Sequence, residues 1–306
     1  MNRQTILVVG SINMDLVVRS PHMPAPGETV LGNGFVTNPG GKGANQAVAA
    51  ARLGGPCAMI GRVGDDEFGR TLTARLAAEK IDCANVLTTE GVPTGVAMIV
   101  VDSHGENSIV VASGANYRLS PDDLFCREEA FARAAVVVLQ LELPLPTVRA
   151  ACDLARRNGC RIVMDPAPAT PQLDDALCAV DILSPNVSEA EILTGKKAGE
   201  DRVDKIVAMD LIARGAKAAV LKLGARGSLV VTNDGHFYRV PSYKVNVVDT
   251  TAAGDAFTAA LAVALAHGND LHSAARFANA AGALACTKFG AQATMPTADE
   301  VRILMA

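Results

Sequence analysis

Two stretches, AVVVLQL (135–141) and AAVLKL (218–223), are apolar at nearly every position rather than at every second one. A strand with one wet face alternates. A near-continuous apolar run suits a strand covered on both faces, as the strands of parallel sheets are. Segments of amphipathic helical spacing separate such runs. The chain begins with a strand, ILVVGS (6–11), followed by helix 43–53, strand 57–62 and helix 66–80. Then come helix 121–134, strand 136–142, helix 146–158, strand 161–165, helix 188–194 and strand 218–223, and helices at 255–267 and 271–286 close the pattern. This alternation predicts a three-layer α/β/α core around a mostly parallel sheet.

Two segments break the alternation. Residues 15–37 (DLVVRSPHMPAPGETVLGNGFVT) and 94–113 (TGVAMIVVDSHGENSIVVAS) are strand-like, with turn residues and no helical spacing. The second reads as a hairpin around DSHGEN. Strands from both could pair into a small sheet outside the main one, a lid that keeps water from a reactive centre, or lie as two surface hairpins. No repeat, low-complexity tract or linker interrupts residues 1–306, so lid and core are expected to form one domain.

Composition removes several function classes. The 28 Lys+Arg against 32 Asp+Glu give a net charge of −4, and no basic block is interleaved with aromatics, which argues against nucleic acid. The N-terminal apolar run is too short for a signal peptide or a membrane span. Seven cysteines lie scattered without CxxC spacing, and the five histidines are equally dispersed. Free thiols in a reducing cytoplasm and no His/Cys metal site are the expectation.

The chemistry concentrates at two glycine-containing helix starts. In NPGGKGANQAVAAARLGG (38–55) three glycines and Lys42 precede an alanine-rich helix. A P-loop would need Gly where Val36 stands and Ser or Thr where Gly43 stands. A dinucleotide fingerprint would directly follow the first strand, which runs instead into GSINMD. The loop is better read as a close approach of backbone to a ligand, with Lys42 and Asn45 offering donors suited to hydroxyls. In VVDTTAAGDAF (247–257), Ala252, Ala253 and Gly254 leave backbone N–H groups bare at a helix start, an anion hole. Asp255 follows as either an N-cap or a catalytic acid–base group, and residues alone do not choose between them.

Together, GGKGANQAVAAARLG and VDTTAAGDAF resemble the two signature motifs of the PfkB carbohydrate kinase family. GSINMD, PAPGETV, GDDEFG, QLE (140–142), DPAPA (165–169), SPNVSEAEILTG, LGARG and KFGAQATMP extend the resemblance in order from about residue 6 to 296. It implies a Rossmann-like core with a small β-sheet lid, ATP as phosphoryl donor with Mg²⁺, and a small sugar, D-ribose first, as acceptor. Sugar contacts would come from Asn13, Met14 and Asp15, from Gly41, Lys42, Gly43, Ala44 and Asn45, and from Glu142. Ala252, Ala253 and Gly254 would cradle phosphate, and Asp255 would accept the hydroxyl proton.

On the nucleotide side the resemblance implies Asn186 and Glu189, acting on Mg²⁺ through water, together with Lys222, Leu223, Gly224, Ala225, Arg226, Gly227 and Asn279. Asp249, Thr251, Ala285, Lys288, Gly290 and Thr294 would surround a K⁺ ion. At Lys222 the chain departs from the family, which has a hydroxyl residue there.

Blander readings stand beside these roles. Asn13 and Asp15 could form a turn, Glu142 could close a strand, and Asn186 with Glu189 could cap helix 188–194. Rival activities are a kinase of deoxyribose, a ketohexose or a nucleoside, and a silent sugar- or nucleotide-binding protein. The apolar lid strands, VAMIVV and SIVVAS, predict a homodimer joined through lids.

Overall fold

The continuous apolar runs become inner strands of a nine-stranded sheet in a computed structural model that describes residues 3–306. Its strands are β1 (Thr5–Val9), β4 (Cys57–Gly64), β5 (Asp82–Thr89), β8 (Ala134–Leu139), β9 (Arg161–Met164), β10 (Ile182–Leu183), β11 (Ala218–Lys222), β12 (Ser228–Thr232) and β13 (Phe237–Val240). They lie in the order β13-β12-β11-β10-β9-β8-β1-β4-β5. All pairings from β11 to β5 are parallel, and β12 and β13 add an antiparallel margin.

Strand period two explains the three layers. Ile6 and Val8 of β1 belong to one buried cluster, Leu7 and Val9 to another on the opposite face. Helices α1 (Lys42–Arg52), α2 (Glu67–Ala78), α9 (Ala253–Ala266), α10 (Leu271–Ala285) and α11 (Ala298–Met305) cover the first face. The second is covered by α3 (Pro121–Phe125), α4 (Glu128–Arg133), α5 (Leu145–Arg157), α6 (Asp175–Cys178), α7 (Val187–Thr194) and α8 (Asp201–Ala213). Residues 255–265 of α9 are buried without interruption, because α9 packs between the sheet, α1 and α10. A helix apolar on all sides belongs in that position.

The lid is a separate sheet of four strands in the order β3-β2-β6-β7. Its strands are β2 (Asn13–Arg19), β3 (Gly34–Gly40), β6 (Gly95–Val101) and β7 (Asn107–Ala112). β6 and β7 form the hairpin expected around DSHGEN, with Val101 opposite Asn107. β2 begins at Asn13, so Asn13 and Asp15 are strand residues; the turn reading of that pair is overturned. β3 runs to Gly40, which places Asn38-Pro39-Gly40 in a strand rather than a loop.

The single helix expected over 121–134 is two, broken at Cys126–Arg127 where Arg127 takes φ −124°. All seven cysteines are free thiols, four of them buried. No helix among the described residues is long and apolar enough to cross a membrane.

Candidate active site

The sheet reverses its order beside β1, with β8 on one side and β4 on the other. Crevices for ligands open at such a point, beyond the carboxyl ends of the strands. The segment after β1, the segment after β8 and the start of α1 meet here. Ser11 Oγ donates to Glu142 Oε2, and the Lys42 backbone N–H donates to the same oxygen at 3.2 Å. β8 stops at Leu139, so Glu142 lies in the following loop and the strand-end reading is overturned: it ties both sides of the crevice to the helix start.

The glycines of the opening motif are required by the chain's own backbone. Gly41, the N-cap of α1, has φ +87°, and a Cβ there would lie 2.7 Å from the Asn13 nitrogen. A Cβ on Gly43 would meet the Gly10 backbone at 2.6 Å, and one on Gly40 the Asp15 carboxylate at 2.2 Å. The close approach expected toward a ligand is thus first an approach of α1 to the turn after β1. Met14 and Ala44 pack into the core. Asn13 is buried and accepts from Asn116 Nδ2 at 2.7 Å.

Asp255 is buried at the third position of α9. The N-cap is Ala252, in the left-handed region at φ +58°, and no side chain caps the helix. The capping reading of Asp255 is overturned. Its Oδ2 accepts from Asn45 Nδ2 and its Oδ1 from Gln46 Nε2, each at 3.0 Å. Gln46 Nε2 also reaches Asp165 Oδ2 at 2.9 Å, and Gln46 Oε1 accepts from Gln140 Nε2 at 2.6 Å. Asp165 pairs with Lys222 at 2.7 Å. The two glycine motifs are therefore one site, with the opening helix supplying the amides that aim the carboxylate of the second. Asn45 Oδ1 is buried and finds no donor among the described residues, as expected of an atom that awaits a ligand hydroxyl.

Charge is concentrated in this crevice. Burial pushes the Asp255 carboxyl upward, and Lys42 opposes the shift. Asp15 is pushed up to about 7 by burial, then by the charges of Glu142 and Asp255. Burial alone would lower Lys42, but Asp255, Asp165, Glu142 and Glu189 outweigh it and hold the ammonium protonated. One lysine thus lies in the field of four carboxylates.

Bare backbone is available beside Asp255. The first turn of α9 has N–H groups without intrahelical partners, and above Gly254 the nearest atom to a Cβ would be Lys222 Nζ at 3.5 Å. That cradle fits a phosphate.

The capping expected of Asn186 and Glu189 is present: Asn186 Oδ1 accepts from the Glu189 N–H and Glu189 Oε2 from the Asn186 N–H, both at 2.8 Å. Burial raises the Glu189 carboxyl while Lys222 opposes it. Leu223 to Gly227 form the turn between β11 and β12, with Gly224 at φ +58° and Gly227 at φ +79°. Arg226 is turned to the buried Asp204 at 2.6 Å. Asn279 binds Ser228 Oγ and the carbonyls of Val240 and Pro241.

Among the described residues no three His, Cys, Asp or Glu side chains converge to hold a metal ion. A divalent ion suits this site as one carried by nucleotide phosphates and water, and the Glu189 cap uses Oε2 and leaves Oε1 out of it. Of the residues expected around a monovalent ion, Asp249, Thr251 and Gly290 form one unit: Asp249 accepts from the Gly290 N–H at 3.0 Å and from Thr251 N–H and Oγ1. These bonds overcome burial and keep the Asp249 carboxyl below its ordinary value, so it is ionised. Ala285 ends α10 just before Cys286, whose carbonyl accepts from the N–H groups of Val248 and Asp249. Lys288 turns to Glu300, and Thr294 Oγ1 donates to the Ala291 carbonyl.

Sequence reasoning did not single out Ser11, Gln46, Asn116, Gln140 or Asp165. Gln46 carried a usable signal, as a polar side chain inside the buried run 43–50 of α1. Asn116 carried none, because its contacts to Ile12 and Asn13 span more than one hundred residues.

Residues 3–298 match the model of the pfkB family carbohydrate kinases. The chain is 41% identical to the ribokinase of Haemophilus influenzae over 97% of each chain. It is 40% identical to that of Bacillus subtilis, over 99% of this chain and all of the other. The structure of Arabidopsis thaliana ribokinase complexed with ribose and ATP superposes with a TM-score of 0.90 at 32% identity, covering 100% of this chain and 99% of that one. Fold and site define a carbohydrate kinase with the ribokinase-like architecture. The chain belongs to the pfkB family of carbohydrate kinases.

Proposed function

We propose that this chain phosphorylates D-ribose with ATP, giving D-ribose 5-phosphate at the primary hydroxyl. The observation that carries the reading is Asp255: a buried carboxylate aimed by two amides, adjoining a bare helix start. A base beside an anion hole is costly unless a proton passes from substrate to base while phosphate occupies the hole. Phosphoryl transfer does this. It needs in-line positioning and charge stabilisation more than covalent help, and the hydroxyl proton becomes acidic only late in the transfer.

The geometry supports the following assignment of roles. Asn13, Asp15, Lys42, Asn45 and Glu142 orient the sugar's hydroxyls, and the lid sheet excludes water from above. Ala252, Ala253 and Gly254 cradle the transferring group through the backbone N–H groups at the start of α9, of which that of Ala253 also donates to the Thr250 carbonyl at 3.3 Å. Residues 222–227 and Asn279 adjoin the nucleotide, and Asn186 with Glu189 act on its metal through water. Mg²⁺ accompanies the nucleotide and supplies neutralising charge on its phosphates. K⁺ would be held by the loops around Asp249, Thr251, Ala285, Lys288, Gly290 and Thr294. The active form is a homodimer joined through the lids, in the cytoplasm.

The test is ADP release from ATP and Mg²⁺ with D-ribose, 2-deoxy-D-ribose, D-fructose and adenosine, using wild type and Asp255→Asn. Ribose should give the highest kcat/KM, and the variant should lose roughly 10²–10⁴-fold in kcat, the range of general-base effects. A higher kcat/KM for another acceptor rejects ribose; a variant with over a tenth of wild-type kcat rejects Asp255 as base.

A further inference from the structure

Lys222, where the sequence departs from the family pattern, is tied into the catalytic network. It is the last residue of β11, its N–H donating to the Pro185 carbonyl at 2.9 Å. Its ammonium lies 2.7 Å from Asp165 Oδ1, in a pair whose side chains are 10% and 2% exposed. A Cβ built on Gly254 would stand 3.5 Å from Nζ and 3.9 Å from Cε, with nothing else within 4 Å. The ammonium therefore overlooks the first turn of α9. One of its three donors is spent on Asp165, and the others remain for an acceptor arriving over that turn.

We infer that Lys222 is a further catalytic residue, whose ammonium binds the phosphoryl group during transfer while Asp165 holds it over the Gly254 turn. The inference rests on the kinase reading above. In the reaction the sugar's primary oxygen forms its bond to the γ-phosphorus as the bond from that phosphorus to the β,γ-bridging oxygen breaks. The hydroxyl proton passes to Asp255, ADP leaves with the bridging oxygen, and Lys222 keeps its protons throughout. Charge on the equatorial oxygens is what a pre-positioned ammonium stabilises. Gln46 bonds both Asp165 and Asp255 through a single Nε2, so one amide sets cation and base relative to each other.

The competing account gives Lys222 only the task of neutralising a buried Asp165, whose charge could not stand alone. Three variants separate the two: Lys222→Met, Lys222→Arg, and Lys222→Met with Asp165→Asn, which leaves no unpaired buried carboxylate. Turnover with ribose is measured, and binding of ATP and of ADP without sugar is measured by calorimetry. Lys222→Met should lower kcat by roughly 10²-fold, the scale of losing one transition-state donor. It should also narrow the preference for ATP over ADP, with ribose KM little changed. The double variant should be equally impaired, and Lys222→Arg less so. Recovery of wild-type kcat and ATP preference in the double variant overturns the inference. If wild type phosphorylates no acceptor, the kinase reading fails, and the ATP-over-ADP arm still decides whether Lys222 binds the terminal phosphate.

Discussion

At the scale of single residues, the site spends stability to gather charge. Asp15 stands on the lid strand β2 with its carboxyl pushed up from 3.8 to about 7, chiefly by burial and then by Glu142 and Asp255. A carboxyl raised in the folded state stabilises fully below its unfolded pKa, and that stability is lost as pH rises through the folded value. The window therefore runs from about pH 4 to about pH 7. Asp15→Asn removes the titration, so its melting temperature should exceed that of wild type at pH 8 and match it near pH 4. A shift of about three units corresponds to roughly 4 kcal/mol at most. If sugar binding uses the charged form, the variant should bind ribose more weakly at pH 8 despite melting higher. Equal melting differences at pH 4 and pH 8 would show that Asp15 does not titrate in this window. The sequence showed that Asn13 and Asp15 were candidates, but not that Asp15 shares a field with Glu142 and Asp255, which the chain brings in from residues more than one hundred positions away. Likewise, it left Asp255 open between cap and base, and only the left-handed Ala252 ahead of it decided against the cap.

At the scale of elements, legibility followed apolar content. The inner strands β1, β4, β8, β9 and β11 and the long helices other than α8 were read within a few residues, because burial on two faces or one writes a strong pattern. β5, with the sequence DCANVLTT, was not read, since an edge strand can be half polar. β10 has two residues, too few for any period, and α8 mixes charges along its length. The start of α9 shows what an element needs beyond pattern. Ala252 at φ +58° is a conformation that side chains rarely adopt, and such strain persists only where its surroundings impose it. The surroundings are visible: Val248 and Asp249 bond the Cys286 carbonyl, and Asp249 bonds Gly290. A monovalent cation held by carbonyls of these two loops would hold the anion hole in its binding conformation without touching substrate, by shifting a local equilibrium. Potassium should therefore raise kcat/KM above that in tetramethylammonium at equal ionic strength, and Asp249→Asn should lose most of the difference. Identical rates in the two cations would remove the ion from the account.

At the scale of the whole molecule, the lid is the part that one chain leaves unfinished. Cross-strand partners share a face, so Val18 and Phe35 lie on one side of the lid together with Met98 and Val110. Val36, Ile109 and Val111 lie on the other, the side that carries Asp15. All seven are exposed. A sheet with apolar side chains exposed on both faces cannot satisfy them against a single core and a sugar, and contiguous apolar surface of this kind marks an association site. β7, exposed along its whole length, is also a free edge that a lone molecule would be expected to protect. A second copy placing its lid against this one would cover both. Light scattering at micromolar concentration should give twice the mass of the chain. Because only the dimer buries this surface, the melting temperature should fall on dilution, as mass action requires. Met98→Glu with Val110→Lys should give a monomer with unchanged circular dichroism, since both residues lie outside the two core clusters. Its ribose KM should rise because the lid no longer closes against a partner. Wild type with the mass of one chain at tens of micromolar, and a melting temperature independent of dilution, would leave the apolar lid to be covered by the sugar-bound closed state of a monomer.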